Sequence, residues 1–370
     1  MRTMLAHVDL TRYAGQFVWL EMNFDKPENQ KFFTRFAASA TPTFYVISAE
    51  GKVLADQPGA MSEAELTAFL NRGVSLAHNR QNPADIALAR ADALLSTKSP
   101  DAVAAYEEAL RLAPPDWARR PLAQYSLVTA LQINEQNQQC AETAAREAPV
   151  MKHDNTFAST VVAGMWCLVQ GDAAAAWRTA AAAKLEPLVQ QALASTETVR
   201  DERNELYRTL MYLAVSRNQN AQAATLEDKW LSELDAVKPA DDEERSAVDI
   251  ARVEAIQIYG DPERILPALR SSEEAMLHNY NASLRVAQME KAAKHYEGAI
   301  AACNRGLERD PGAAGRSWLL QIKADALKQK GDSADVRGTL EEALKAAQEI
   351  PSQSQRENNV KRIQQALAGK

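Results

Sequence analysis

Small residues recurring at matched helical offsets constrain this chain more than anything else in it. In SPDAVAAYEEALRLAP, Ser99 and Pro100 open a helix on which Ala102, Tyr106 and Ala109 precede Pro114, at steps of four, three and five. Matching offsets return in VVAGMWCLVQGDAAAAWRTAAAAKLEP, with Gly164 seven residues before Gly171, then Ala176, Ala180 and Ala183. AAKHYEGAIAACNRGLERDP, with Ala287 just ahead of it, carries Ala299, Cys303, Gly306 and Pro311. A fourth window, SWLLQIKADALKQKGDSADVRGTLEEALKAAQEIP, carries Trp318, Ala324, Gly331, Leu340 and Ala343. Small side chains on a buried face let two helices approach closely. The windows therefore predict helical pairs that stack on one another, each burying only part of its apolar surface.

These offsets resemble the second helix of a tetratricopeptide repeat. The resemblance implies an irregular α-solenoid of about six or seven helical pairs over residues 84–351. Residues 121–149 read as a degenerate copy, and residues 352–370, which end in SQRENNVKRIQQALAGK, as a polar capping helix. Such repeats hold a peptide on the side lined by the first helix of each pair. In the window with Gly164 those positions are Ala158, Val161, Met165 and Leu168; in the last window they are Trp318, Gln321, Asp325 and Lys328. Val161, Met165, Leu168 and Trp318 are the candidate groove residues, or else they pack against a neighbouring helix. Members that hold a chaperone's C-terminal carboxylate use Lys and Asn four apart. Here Ala87 and Ala91 stand at the matching positions, so that ligand is not expected.

Residues 1–76 have a different texture. A helix is expected over residues 1–14, then a buried strand over residues 16–25, QFVWLEMNFD, rich in Val, Trp, Leu and Phe. KPENQKFFTRFAAS supplies a short helix opening at Pro27, with Phe32, Phe33 and Phe36 at helical spacing. PTFYVIS and KVLADQP read as two strands joined at Gly51. In MSEAELTAFLNRG, Ser62 and Glu65 form a capping box, Leu66, Phe69 and Leu70 an apolar face, and Gly73 a stop. The order resembles the C-terminal two-thirds of a thioredoxin-fold domain. The fold class is then mainly α: a truncated α/β thioredoxin-like domain (residues 1–76), a linker (77–83), and the helical array.

The thioredoxin resemblance implies that Pro42 is cis and that the backbone of Thr41 pairs with an extended substrate peptide. It also implies a C-x-x-C at the start of the helix preceding QFVWLEMNFD, and that position would fall just ahead of Met1. Either the recorded start is an internal methionine of a longer protein with the motif upstream, or the domain is a remnant without redox chemistry. The bland reading of ASATPTFYVI is a loop in which Pro42 merely begins an edge strand.

Cys140, Cys167 and Cys303 show no C-x-x-C or zinc-like spacing and predict buried, inert thiols rather than a disulfide framework or metal site. The net charge of −7 is spread without like-sign blocks, which gives no footprint for nucleic acid or an anionic membrane. No apolar run reaches membrane-spanning length. The chain as written reads as cytoplasmic; a longer form with a signal peptide would belong to the periplasm or cell envelope.

His153, His278 and His295 lack ligand partners at helical spacing, since Glu297 sits too near His295 in sequence to share its face. GDPER near Gly260 lacks the Lys-Ser/Thr of a phosphate loop and reads as a turn, and ADDEERS reads as a helix start. NAS at Asn281 matches a glycosylation acceptor only by tripeptide. No metal, cofactor or catalytic residue is expected. The function expected is a peptide- or protein-binding scaffold using Thr41 and Pro42. The alternative is a thiol-disulfide oxidoreductase in a longer form.

Overall fold

The computed structural model of the chain describes residues 10, 13–23, 26, 29–36, 41–77, 83–172 and 174–368. These form a mainly helical protein with a two-stranded antiparallel sheet near the N-terminus. Residues 1–217 make one compact unit and residues 218–370 another.

The first unit opens with a short helix, α1 (Gln30–Arg35), followed by β1 (Thr43–Ile47), β2 (Val53–Pro58) and α2 (Glu63–Ala77). Gly51 takes the positive φ of 78° that the hairpin needs, and Ser48 and Lys52 close the turn through an N–H···O bond of 2.8 Å. The register pairs Val46 with Ala55 and Thr43 with Pro58. Val46 and Ala55 are buried in one core with Leu66, Phe69 and Leu70 of α2. The expected capping box is present: the Ser62 N–H donates to Glu65 Oε2 at 2.7 Å, and the Glu65 N–H to Ser62 Oγ at 3.4 Å.

Two expectations fail in this region. Gly73 does not stop α2, which continues to Ala77. A Cβ there would lie 2.8 Å from Val46 Cγ1, so the glycine serves close helix-to-strand packing. Residues 17–23 form no strand, and Val18, Trp19 and Leu20 are 88%, 51% and 73% exposed rather than buried. A strand exists only by pairing, and among the described residues β1 and β2 pair only with each other. The expected helix over residues 1–14 and the Pro27 helix start lie largely outside the described residues.

The helices that follow are α3 (Pro83–Ser96), α4 (Ala102–Leu112), α5 (Arg120–Ile133), α6 (Asn137–Glu147), α7 (Asn155–Gln170), α8 (Ala176–Ala194) and α9 (Arg200–Ser216). They pack as the pairs α3–α4, α5–α6 and α7–α8, while α5 also packs on α7 and α7 on α9. The first helices of successive pairs thus lie side by side in a row. Ala102, Tyr106 and Ala109 of α4 are buried as the offsets require. On α8 the phase is different: Ala176, Ala180 and Ala183 are exposed, whereas Ala181, Ala182 and Leu185 are buried. An alanine run offers no polar side to set its rotation, so packing chooses the face.

The cysteine expectation is also overturned in part. Cys140 of α6 and Cys167 of α7 are joined in a disulfide, while Cys303 is a buried free thiol. The pairing of α6 with α7 brings the two residues together from 27 positions apart. Gly164 allows that closeness, because a Cβ on it would collide with the Ala144 Cβ.

The hinge expected at residues 77–83 lies mostly outside the described residues, and buried charges join the elements on either side of it. Arg72 of α2 donates to the Asp56 carbonyl of β2 at 3.1 Å. In the α3–α4 pair, the Tyr106 hydroxyl donates to Asp92 at 2.9 Å. Burial raises the Asp92 pKa to about 6 and raises that of Asp56 well above the carboxylate range; the Arg72 guanidinium opposes both shifts.

The second unit contains α10 (Asn220–Asp235), α11 (Asp242–Ile258), α12 (Leu266–Ala275), α13 (Tyr280–Ala292), α14 (Tyr296–Leu307), α15 (Gly312–Lys330), α16 (Ser333–Gln348) and α17 (Gln353–Leu367). Ala287, Ala299, Cys303, Ala324 and Ala343 are buried between helices. Asp241 caps α11 by accepting from the Glu244 N–H at 2.8 Å, as the ADDEERS reading expects. GDPER forms a turn with a short 3-10 segment, Pro262–Arg264. On α17 only Ile363 is fully buried, as befits a polar final helix.

Candidate functional site

The row of first helices in unit one carries a groove. From α5 it is lined by Tyr125, Thr129, Gln132 and Ile133; from α7 by Ser159, Val162, Ala163, Trp166 and Gln170; and from α9 by Asp201, Glu202 and Glu205. The steps of three and four on each helix are those of a single face. Across from them stand Thr41, Pro42, Pro58, Gly59 and Ala60, at the end of the hairpin. Together they enclose a cavity of about 860 Å³, a size suited to a short length of peptide or a small molecule.

The hairpin end is held by specific bonds. The Thr41-Pro42 peptide bond is cis, as the thioredoxin resemblance implies. The Gly59 N–H donates to the Pro42 carbonyl at 2.8 Å, and the Ala60 carbonyl accepts from Asn155 Nδ2 at 3.3 Å. Glu65 uses one carboxylate oxygen for the capping box and the other to accept from the Thr156 hydroxyl of α7. A single residue thus fixes the start of α2 and ties it to the groove wall. Thr41 is exposed, and among the described residues neither its N–H nor its C=O has a hydrogen-bond partner.

The opposite wall is acidic. Glu202 is 9% exposed and accepts from Ser159 Oγ at 2.7 Å through Oε1. Its Oε2 has no partner among the described residues. Burial pushes the Glu202 pKa up to about 7, against the Ser159 bond and with help from Glu205, Asp201 and Glu65. Trp166 Nε1 donates to Glu205 Oε2 at 2.9 Å, and Arg208 pairs with Glu205 at 3.0 Å. Asn137, also in the lining, has a buried Oδ1 without a partner among the described residues.

Of the residues expected from sequence, Thr41 and Pro42 line this cavity. Val161, Met165 and Leu168 do not: each is fully buried inside the helical packing, as is Ala158. Trp318, 48% exposed, lies in the second unit on α15. The groove instead uses the neighbouring face of α7. Its signal in the sequence is Ser159, Trp166 and Gln170, polar or half-polar residues recurring at helical steps in an otherwise apolar helix.

Among the described residues no cluster of His, Cys, Asp and Glu is arranged to hold a metal ion, and no helix is long and apolar enough to cross a membrane. No protein-family model matches the chain, and no curated protein matches its sequence.

Proposed function

We propose that this protein is a peptide-binding scaffold in which an extended segment of a partner protein lies between the Thr41-Pro42 edge and the stacked helices α5, α7 and α9. The observation that carries this reading is the shared lining: one cavity takes its walls from the hairpin end and from the three neighbouring helices α5, α7 and α9. The backbone of Thr41, without a hydrogen-bond partner among the described residues, supports it, because an exposed N–H and C=O at a sheet end can bond to an added strand. Val162, Ala163, Trp166 and Ile133 supply apolar contact for alternate side chains.

Exchange chemistry would require an accessible thiolate. Cys140 and Cys167 are bridged and buried, and burial pushes the Cys303 thiol up to about 12. Binding without chemistry is therefore the reading preferred for these residues.

A display selection of random heptapeptides against the full chain tests it, repeated on Thr129→Trp, which fills the groove from a half-buried position on α5. Selected peptides should bind the parent and lose at least about tenfold in affinity, about 1.4 kcal/mol, on the variant. Circular dichroism should show both proteins equally helical. Peptides that bind both alike, or a selection that yields none, would sink the proposal.

A further inference from the structure

We infer that the groove selects a peptide that projects a lysine or arginine side chain toward Glu202 and Glu205. The inference rests on the peptide-binding reading and adds the charge of the residue that is read. Among the described residues four carboxylates, Glu135, Asp201, Glu202 and Glu205, line the cavity, and no lysine or arginine does. Glu205 already has Arg208 and the Trp166 indole, so the geometry centres on Glu202. That carboxylate is nine-tenths buried, with one oxygen held by Ser159 and the other without a partner among the described residues. A buried carboxylate with an open oxygen gains most from a cationic donor, since charge-assisted hydrogen bonds are the strong ones.

The surroundings suit an amino-acid side chain rather than a bare ion. Among the described residues no arrangement of ligating groups fits a metal. Trp166 stands on the same face of α7 as Ser159, seven residues on, and offers an aromatic surface for the methylene stem of a lysine or the plane of a guanidinium. The unpartnered Asn137 Oδ1 adds a second acceptor in the lining. Glu202 thus offers an open acceptor to a cation, Trp166 accommodates its stem, and the Thr41 edge would hold the backbone from which it projects.

Three fluorescein-labelled peptides test this by anisotropy on the full chain: Thr-Val-Thr-X-Thr-Val-Thr with X as lysine, norleucine or glutamate. The lysine peptide should bind at least about tenfold more tightly than norleucine, with glutamate weakest, and its advantage should shrink as salt rises. In Glu202→Gln the ratio of lysine to norleucine affinity should fall below about threefold. Glu205→Gln, at a more exposed side chain, should narrow it to a lesser degree and guards against misfolding of the first variant. Equal binding of the lysine and norleucine peptides would overturn the cationic preference and leave the groove reading standing. Failure of all three to bind would overturn the preference too, and the heptapeptide selection would then show separately whether the groove reading also falls.

Discussion

At the scale of single residues, buried ionisable groups dominate what can be measured. For Glu202 the folded-state pKa of about 7 lies above the ordinary value of 4.5, so the folded protein holds that proton more tightly than the unfolded chain. Its contribution to stability is complete below 4.5, falls as pH rises toward 7, and is lost above that. Glu202→Gln should therefore match the parent near pH 4 and exceed it by about 1–3 kcal/mol at pH 8, measured by urea unfolding. Arg72 acts in the opposite sense, as the buried cation opposite Asp56 and Asp92. Arg72→Met should cost about 3–5 kcal/mol at pH 8. Near pH 5, below the Asp92 value of about 6, Asp92 is largely protonated without Arg72, so less buried charge is left uncompensated and the cost should be smaller. Neither network was legible in the sequence, because Asp56, Arg72 and Asp92 are ordinary polar positions until folding places them in one buried space.

Individual elements divide into those whose shape is local and those whose shape depends on a neighbour. The β1–β2 hairpin and the start of α2 are local: Gly51 and the Ser62–Glu65 box specify them within a few residues, and the sequence reads them correctly. Strand formation at residues 17–23 is not local, since Val18, Trp19 and Leu20 have strand character but no pairing partner among the described residues. The groove face of α7 fails for a third reason. Nearly the whole helix is buried, and a helix apolar on most sides gives little phase information, so the expected face was rotated by one residue from Val161 to Val162 and from Met165 to Trp166. Gly164 is the element's tightest point. Gly164→Ala should destabilise unit one by about 1–3 kcal/mol through overpacking against Ala144, despite alanine's better helix propensity, and a thermal melt of the variant checks this.

For the whole molecule, the existence of two compact units predicts unfolding that departs from a single transition. The disulfide belongs to the first unit, and its 27-residue separation implies about 3–4 kcal/mol of stabilisation by loop closure. Reduction, or the Cys140→Ala/Cys167→Ala double variant, should lower the protection of peptides from residues 1–217 in hydrogen exchange and leave those from 218–370 unchanged. Equal loss in both units would contradict the division. At this scale the helical array was readable from small-residue offsets, whereas the division at residue 217 was not, because it reflects which helices share contacts rather than any change in composition.

The bridge between α6 and α7 also has a mechanical consequence. It ties the helix carrying Ser159, Val162 and Trp166 to the second helix of the preceding pair by a covalent bond, so tension on the chain cannot peel the two fully apart. In a single-molecule pulling experiment the 27-residue span would be hidden from extension, roughly 90 Å of contour that appears only after reduction. The middle wall of the groove is thereby the part of unit one best protected against forced separation, whatever load a bound partner applies.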